Sequence, residues 1–337
     1  MMENNINCGN KGLINLGNTC YLNSVIQCLS HLLIFHPLNT EFYEECDNKT
    51  DCMIYEWFQF QRRMWSNENN NSVNPSNILI QFQKDCQKYN MYFENFRQND
   101  ADEFLILFLD FLHRSIKCGM KIISKNSHNN KEINKLIQES YKTWLRFFEN
   151  DYSYIVEKFY SQLLSYTTCP NCGYYTTNHD PVQVISLEIP NSATNLIDCL
   201  DHYTTSISLD DNNLWKCDKC NQKVQSEKKT ILWKTSDIII LSLKRFKYGK
   251  KINKYISFSE ILDLNEFSLN FGSKKNNTYS LQGLAIHQGS LDSGHYYAIS
   301  RNPIDKKWHK YDDQGVNFIS KDILFQEIPY LFFYKRF

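Results

Sequence analysis

Four cysteines constrain the fold of this chain more than any other residues. They stand as Cys169-Pro-Asn-Cys172-Gly and Cys217-Asp-Lys-Cys220-Asn, two C-x-x-C knuckles with 44 residues between Cys172 and Cys217. Each knuckle lets two sulfurs reach one ion, and the trailing Gly173 or Asn221 accepts the tight turn this requires. Four thiolates with no water position describe a closed structural zinc site, so one Zn2+ per chain is expected on Cys169, Cys172, Cys217 and Cys220. The gap is longer than in a compact zinc ribbon, so the strands between the knuckles must form a sizeable extension. The competing reading is a pair of thioredoxin-like redox motifs. The N-terminus MMENNINCGNKG carries no signal-peptide core, and no apolar run reaches membrane-spanning length. The expected compartment is the cytosol or nucleus, where twelve cysteines stay reduced and paired spacings favour metal over disulfides.

The rest of the chain divides by texture. Residues 20 to about 115 read mainly helical, and QNDADEFLILFLDFLHRSI begins with cap-like polar residues before turning apolar almost all round, as a core helix does. A polar break follows from Ser124 to Lys135, then an amphipathic helix over Leu136 to Phe148. From about Tyr152, runs such as VQVISLEI, DIIILSLKRF, YSLQGLAIH and HYYAIS are β-branched and aromatic between turn residues, the pattern of antiparallel strands. With 42% hydrophobic and 15% aromatic residues the chain can bury a large α+β core. The 37 basic residues are balanced by 37 acidic ones, which argues against a protein that works by neutralising nucleic-acid phosphates.

One cysteine stands apart. In GNTCYLNSVIQCLSH, Leu22, Val25, Ile26, Leu29, Leu32 and Leu33 repeat at helical spacing, with Asn18 and Thr19 as N-cap residues. Cys20 then lies in the first turn, where the helix dipole favours a thiolate. Cys28 has no such position and reads as core. A nucleophilic cysteine needs a base and a group that orients the base. Of nine histidines, His31, His36, His113 and His202 read as surface or core-edge residues. His295 follows a Gly/Ser/Asp loop and opens the strand HYYAIS. Asp312 and Asp313 lie just beyond, and a turn over Pro303–Lys306 would pair the two strands as a hairpin. His287 is the competing base.

Taken together these residues resemble the ubiquitin-specific protease family of cysteine deubiquitinases. GLINLGNTCYLNSVIQCL is similar to its cysteine box, and YSLQGLAIHQGSLDSGHYYAIS followed by KWHKYDDQGV to its histidine box. RQNDADEFLILFLDFLH, LSLKRF and the two knuckles match further family elements, in family order from Lys11 to Phe337. The resemblance implies a papain-like right-hand architecture in a single catalytic domain, 11–337, after a short extension over 1–10. A helical thumb would span about 11–150, β-rich zinc-bearing fingers about 152–235 and an antiparallel palm about 236–337. It further implies Cys20 as nucleophile, His295 as base, Asp312 as its orienting acid and Asn15 as oxyanion donor, with Asp313 at a second acidic position. Asp100 and Glu103 would meet the basic tail of ubiquitin, or else cap the helix they precede. Asn99, Asp102 and Ser161 depart from the family pattern. The implied partners are ubiquitin and ubiquitinated proteins, with neither nucleic acid nor membrane; the sequence names no activating protein partner. The implied activity is hydrolysis of the bond after ubiquitin's C-terminal glycine. The alternatives are a protease for another ubiquitin-like modifier and a catalytically silent ubiquitin-binding zinc scaffold.

Overall fold

The computed structural model describes residues 8–32, 50–68, 70–93, 98–119, 128–209, 213–247, 249–269, 276–290 and 293–337. Leu33, His36, residues 1–7 of the N-terminal extension and residues 124–127 of the polar break lie outside them. The helical part comprises α1 (Cys20–Ser30), α2 (Met53–Met64), α3 (Ser76–Lys88), α4 (Ala101–Ile116), α5 (Lys131–Phe148) and α6 (Tyr154–Phe159). All eleven residues of α1 are buried, not only the apolar face its periodicity marks. The helix lies between α4 on one side and the main sheet on the other, so no face of it meets water. Tyr21 packs edge-on against Phe104 of α4 at 5.5 Å, and Phe82 of α3 sits 4.8 Å from the same ring. Such aromatic pairs contribute about 0.5–1.5 kcal/mol beyond their buried area.

Two sheets follow. The main one has the order β9-β8-β7-β6-β10-β5-β3, with Ile261–Asp263 also pairing with β6. Its strands are β3 (Val184–Leu187), β5 (Ile238–Leu243), β6 (Thr278–Gly289), β7 (Gly294–Arg301), β8 (Trp308–Asp312), β9 (Gly315–Ile319) and β10 (Pro329–Arg336). Only the β5–β3 pair among its neighbours is parallel. Both faces are covered. Tyr296, Ala298, Leu331 and Phe333 point into the core shared with the helices, while Tyr297, Ile299, Phe332 and Tyr334 point into a second core. That is why these strands read as near-continuous apolar runs rather than alternating ones. The smaller sheet pairs β2 (Tyr175–Val182), β1 (Ser161–Thr168), β4 (Glu227–Lys234) and Ile207–Ser208 in that order, and carries the knuckles at its end.

Several expectations shift. The helix expected from Leu136 starts at Lys131, because the Asn130 side chain accepts hydrogen bonds from the Glu132 and Ile133 amides. Among the described residues three helices interrupt the stretch read as strands, the last a single turn over Lys321–Leu324. Ser153 caps α6, and Asn195 with Asp198 forms a reciprocal capping box for α7 (Leu196–Thr204). Val184–Leu187 pairs in the main sheet and α7 packs on its second core, so residues 184–204, expected within the fingers, belong with the palm strands. The hairpin expected of β7 and β8 forms, with Ala298 opposite Tyr311 and Arg301 opposite Trp308. Its turn is closed by bonds between Asn302 and Lys306 and between Asn302 and Lys307. Ser161, a departure from the family pattern, is buried with its hydroxyl 2.9 Å from that of Ser236. No helix among the described residues is long and apolar enough to cross a membrane.

Candidate active site

Cys20 opens α1 where the helix meets β7. Gly17 and Asn18 take left-handed backbone conformations (φ 98° and 54°), and Thr19 is the N-cap residue, as expected. Its hydroxyl does not cap the helix. It turns back into the loop, accepting from the Leu16 amide at 2.9 Å and lying 3.2 Å from Asn15 Oδ1. The thiol is 5% exposed. Burial pushes it above its ordinary pKa and the charge of Asp313 adds to this, against the backbone amides of Tyr296 and Tyr21, which favour the thiolate. Desolvation thus outweighs the helix-start amides and shifts the balance toward the thiol, opposite in direction to the sequence expectation. Cys28 is core as expected, with its thiol pushed up to about 12 by burial.

His295 sits on β7, one residue before Tyr296, whose amide faces the Cys20 sulfur. Its Nε2 lies 2.6 Å from Asp312 Oδ1, brought opposite by the β7–β8 hairpin. Burial alone would raise the Asp312 carboxyl. Hydrogen bonds from His295 and Lys310 and their charges overcome that and hold it below its ordinary value. With Nε2 turned to the carboxylate, Nδ1 is the nitrogen left for a proton from elsewhere. No hydrogen bond joins the thiol and the imidazole; such contacts commonly close only around substrate.

His287, the competing base, is 6% exposed, with its ring 5.2 Å from that of Phe246 and 4.6 Å from that of Tyr296. Burial lowers it to about 4. His31, read as surface or core-edge, is fully enclosed between Gln27 O and the Tyr311 hydroxyl, and burial lowers it likewise to about 4.

Asp313 does something different from Asp312. Its Oδ2 accepts from Asn15 Nδ2 at 2.9 Å, its Oδ1 from Asn23 Nδ2 at 2.7 Å and its carbonyl from the Leu13 amide at 2.7 Å. The Asn15 carbonyl oxygen in turn accepts from the Gly17 and Thr19 amides. Asp313 thus ties the loop before Cys20 to the end of the β7–β8 hairpin. The approach is close: a Cβ on Gly12 would stand 2.4 Å from Gln314 O. Asn23 escaped the sequence reading. Its signal was a polar amide one turn beyond Cys20 in a helix whose other side chains are mostly apolar.

Asp100 is the N-cap of α4, accepting from the Asp102 amide and, at 2.6 Å, from the Tyr330 hydroxyl. Burial and the neighbouring Asp102 raise its carboxyl to about 6. Glu103 is exposed in the first turn of the same helix. The capping role weighed for Asp100 is therefore realised; Glu103 faces solvent.

At the far end of the smaller sheet the two knuckles take the same shape. Gly173 N–H donates to Cys169 O and Asn221 N–H to Cys217 O, and both trailing residues are left-handed (φ 68° and 56°). Cys169 Sγ lies 3.8 Å from Cys220 Sγ, and Cys172 Sγ 3.6 Å from Cys217 Sγ. All four sulfurs fall within 4.8 Å of one another. Four sulfurs each about 2.3 Å from one tetrahedral zinc would stand about 3.8 Å apart, so the four can hold one metal ion.

The family model described as ubiquitin carboxyl-terminal hydrolase matches residues 11–334. The chain belongs to that family. Among its relatives, Ubiquitin carboxyl-terminal hydrolase Usp2 of Drosophila melanogaster is 30% identical over 332 residues, covering 96% of this chain and 34% of the relative. Ubiquitin carboxyl-terminal hydrolase 2 of Gallus gallus is 31% identical over 342 residues, covering 97% and 93%. The chain spans only 34% to 55% of the length of the fly, cattle, rat and human relatives it matches. Among solved structures, a chain of the SAGA Ubp8/Sgf11/Sus1/Sgf73 DUB module bound to ubiquitin aldehyde superposes with a TM-score of 0.75 at 25% identity, over 100% of this chain and 71% of that chain. The papain-like α+β fold of that family is thus this chain's fold.

Proposed function

We propose that this hydrolase is a thiol-dependent deubiquitinase, cleaving the peptide or isopeptide bond after the C-terminal glycine of ubiquitin on proteins or chains. The observation that carries the reading is the His295–Asp312 pair at 2.6 Å, set on β7 directly beside the strand position whose amide meets Cys20. In this reading Cys20 Sγ attacks the carbonyl of ubiquitin's last glycine as its proton passes to His295 Nδ1, with Asp312 fixing the tautomer and the orientation of the ring. One hydrogen of Asn15 Nδ2 is taken by Asp313, and the second is free for the oxyanion that develops. His295 then gives its proton to the departing amine, and water, deprotonated by His295, releases ubiquitin from the thioester. Burial of Cys20 favours its neutral form, and the proton it gives up on attack is the one His295 receives.

The four knuckle cysteines would hold one structural zinc, which closes the end of the smaller sheet and takes no part in the reaction. The S···S spacing supports this assignment. Ubiquitin and ubiquitinated proteins are the proposed partners, and the cytosol or nucleus the proposed compartment. One observation favours the silent-scaffold reading: no hydrogen bond links Cys20 and His295. Turnover of a ubiquitin C-terminal amide separates the two. A deubiquitinase cleaves it and loses that activity, but not ubiquitin binding, on Cys20→Ala; a scaffold binds ubiquitin equally in both forms and cleaves with neither.

A further inference from the structure

Among the described residues, the end of β7 nearest Cys20 has one backbone edge with no strand on it. β8 pairs with β7 only from Ala298 to Arg301, whereas β6 accompanies β7 as far as the Gly289–Gly294 pair. In an antiparallel ladder the N–H and C=O of one residue point to the same side, and residues two apart point alike. Gly294 turns both groups away from β6 and toward the side chain of Gln98. Its N–H donates to Gln98 Oε1 at 3.2 Å, and Gln98 Nε2 donates to its C=O at 3.1 Å. Tyr296, two residues on, presents its amide to the Cys20 sulfur. The edge that Gln98 covers therefore leads directly to the thiol.

A carboxamide is a side-chain copy of a peptide unit, with a donor and an acceptor side by side in one plane. Gln98 pairs with Gly294 as the backbone of an added strand would. The loop before His295 does not depend on this pair. Ser290 and Ser293 close it with three hydrogen bonds, and Lys251 Nζ grips it through His287 O at 2.7 Å and Gly289 O at 3.0 Å. His295 itself is held by Asp312. What Gln98 adds is occupancy of an edge that no other described residue is seen to pair with. It does so from an exposed position, with two hydrogen bonds at the long end of the normal range.

We infer that Gln98 is a placeholder for substrate backbone: in the free protein its carboxamide occupies the β7 edge that the extended C-terminal tail of ubiquitin takes on its way to Cys20. Tail binding and the Gln98–Gly294 pair then exclude one another. This deepens the deubiquitinase reading and rests on it. A tail whose last carbonyl lies at Cys20 must pair the N–H and C=O groups just before it, and those of Gly294 are the ones adjacent to His295.

The test uses Gln98→Ala and Gln98→Met, the second keeping length without hydrogen-bonding capacity. Binding of intact ubiquitin is titrated in the Cys20→Ala background, and turnover of a ubiquitin C-terminal amide is measured with Cys20 present. Losing two solvent-exposed hydrogen bonds from the free state should tighten ubiquitin binding roughly 5- to 10-fold in both variants. KM should fall and kcat stay unchanged. Ubiquitin lacking its last two glycines should bind the variants and the parent equally. Weaker binding of intact ubiquitin to both variants would overturn the inference, because Gln98 would then hold the tail instead of standing in for it. So would a fall in kcat at constant KM, which would make Gln98 a positioning residue for His295. Failure of the parent protein to bind intact ubiquitin would overturn the deubiquitinase reading itself, a result distinct from either of these.

Discussion

At the tip of the smaller sheet, four cysteines come together through two copies of one local turn; at the start of α1, a single cysteine depends on residues nearly 300 positions away. The tip needs only C-x-x-C, a left-handed residue after each knuckle, and strands that bring the two turns face to face. The Cys20 site needs α1 to be buried on every side, the β7–β8 hairpin to pair in one register, and Asp313 to reach back to Asn15 and Asn23. Local turns make a site robust and easy to read. Long-range assembly makes one that a small displacement can switch off.

The comparison breaks most sharply at the nucleophile. Cys20→Ala should remove all measurable turnover of a ubiquitin C-terminal amide while leaving binding intact, whereas Cys28→Ala should retain turnover. Next in size is His295→Ala, expected to cost on the order of 10²–10⁴-fold in kcat, the contribution of a positioned acid–base group; His287→Ala should not show a loss of that order. Asp312 and Asp313 come after it and should differ in kind. The carboxylate of Asp313 is anchored by two amides, whereas Asp312 makes the 2.6 Å contact with His295. Asp313→Ala should lower kcat by about 10- to 100-fold through a misplaced Asn15, part of what a lost oxyanion donor costs, and Asn15→Ala should add little further loss once Asp313 is gone. A full additional loss in the double variant would separate the two roles.

At the tip the effect should fall on structure. Cys217→Ala should abolish zinc content, measured on freshly purified protein as one ion per chain in the parent. It should expose the smaller sheet to proteolysis and raise KM for ubiquitin substrates, with kcat changed by no more than a few-fold, since a structural zinc there would stabilise the fold and take no part in the reaction. Loss of kcat on the scale of His295→Ala would mean that the two regions are not separable.

The smallest effect concerns Asp100. Its carboxyl is raised to about 6 from an ordinary value near 4. Its protonated form therefore favours folding, a contribution fully present below the ordinary value and lost as pH rises through about 6. Asp100→Asn keeps a side-chain acceptor for the Asp102 amide and the Tyr330 hydroxyl. It should flatten that part of the stability profile between about pH 4 and 6 and leave the protein at least as stable at neutral pH, as read by denaturant unfolding.

What the sequence disclosed follows the same division. The knuckles, Gly173 and Asn221 are legible because their geometry is local. So is the β7–β8 hairpin, whose Pro303–Lys306 turn lies between two strong strand runs. The charge state of Cys20 is not: the first turn of a helix favours a thiolate, and only the packing of α1 against β7 reveals the desolvation that wins. Asn23 and Gln98 are ordinary amides in sequence, and acquire meaning only when Asp313 and Gly294 arrive from the other end of the chain. The short helices α6 and α7 were hidden by β-like neighbours, although the Asn195–Asp198 capping box was present to be read.

The most direct measurement is reaction with ubiquitin carrying a C-terminal electrophile, followed by mapping of the modified residue in the parent and in Cys217→Ala. The account predicts a single adduct on Cys20 in both proteins, formed more slowly in the variant. An adduct on Cys28 or on a knuckle cysteine, or ubiquitin bound with no adduct at all, would contradict it.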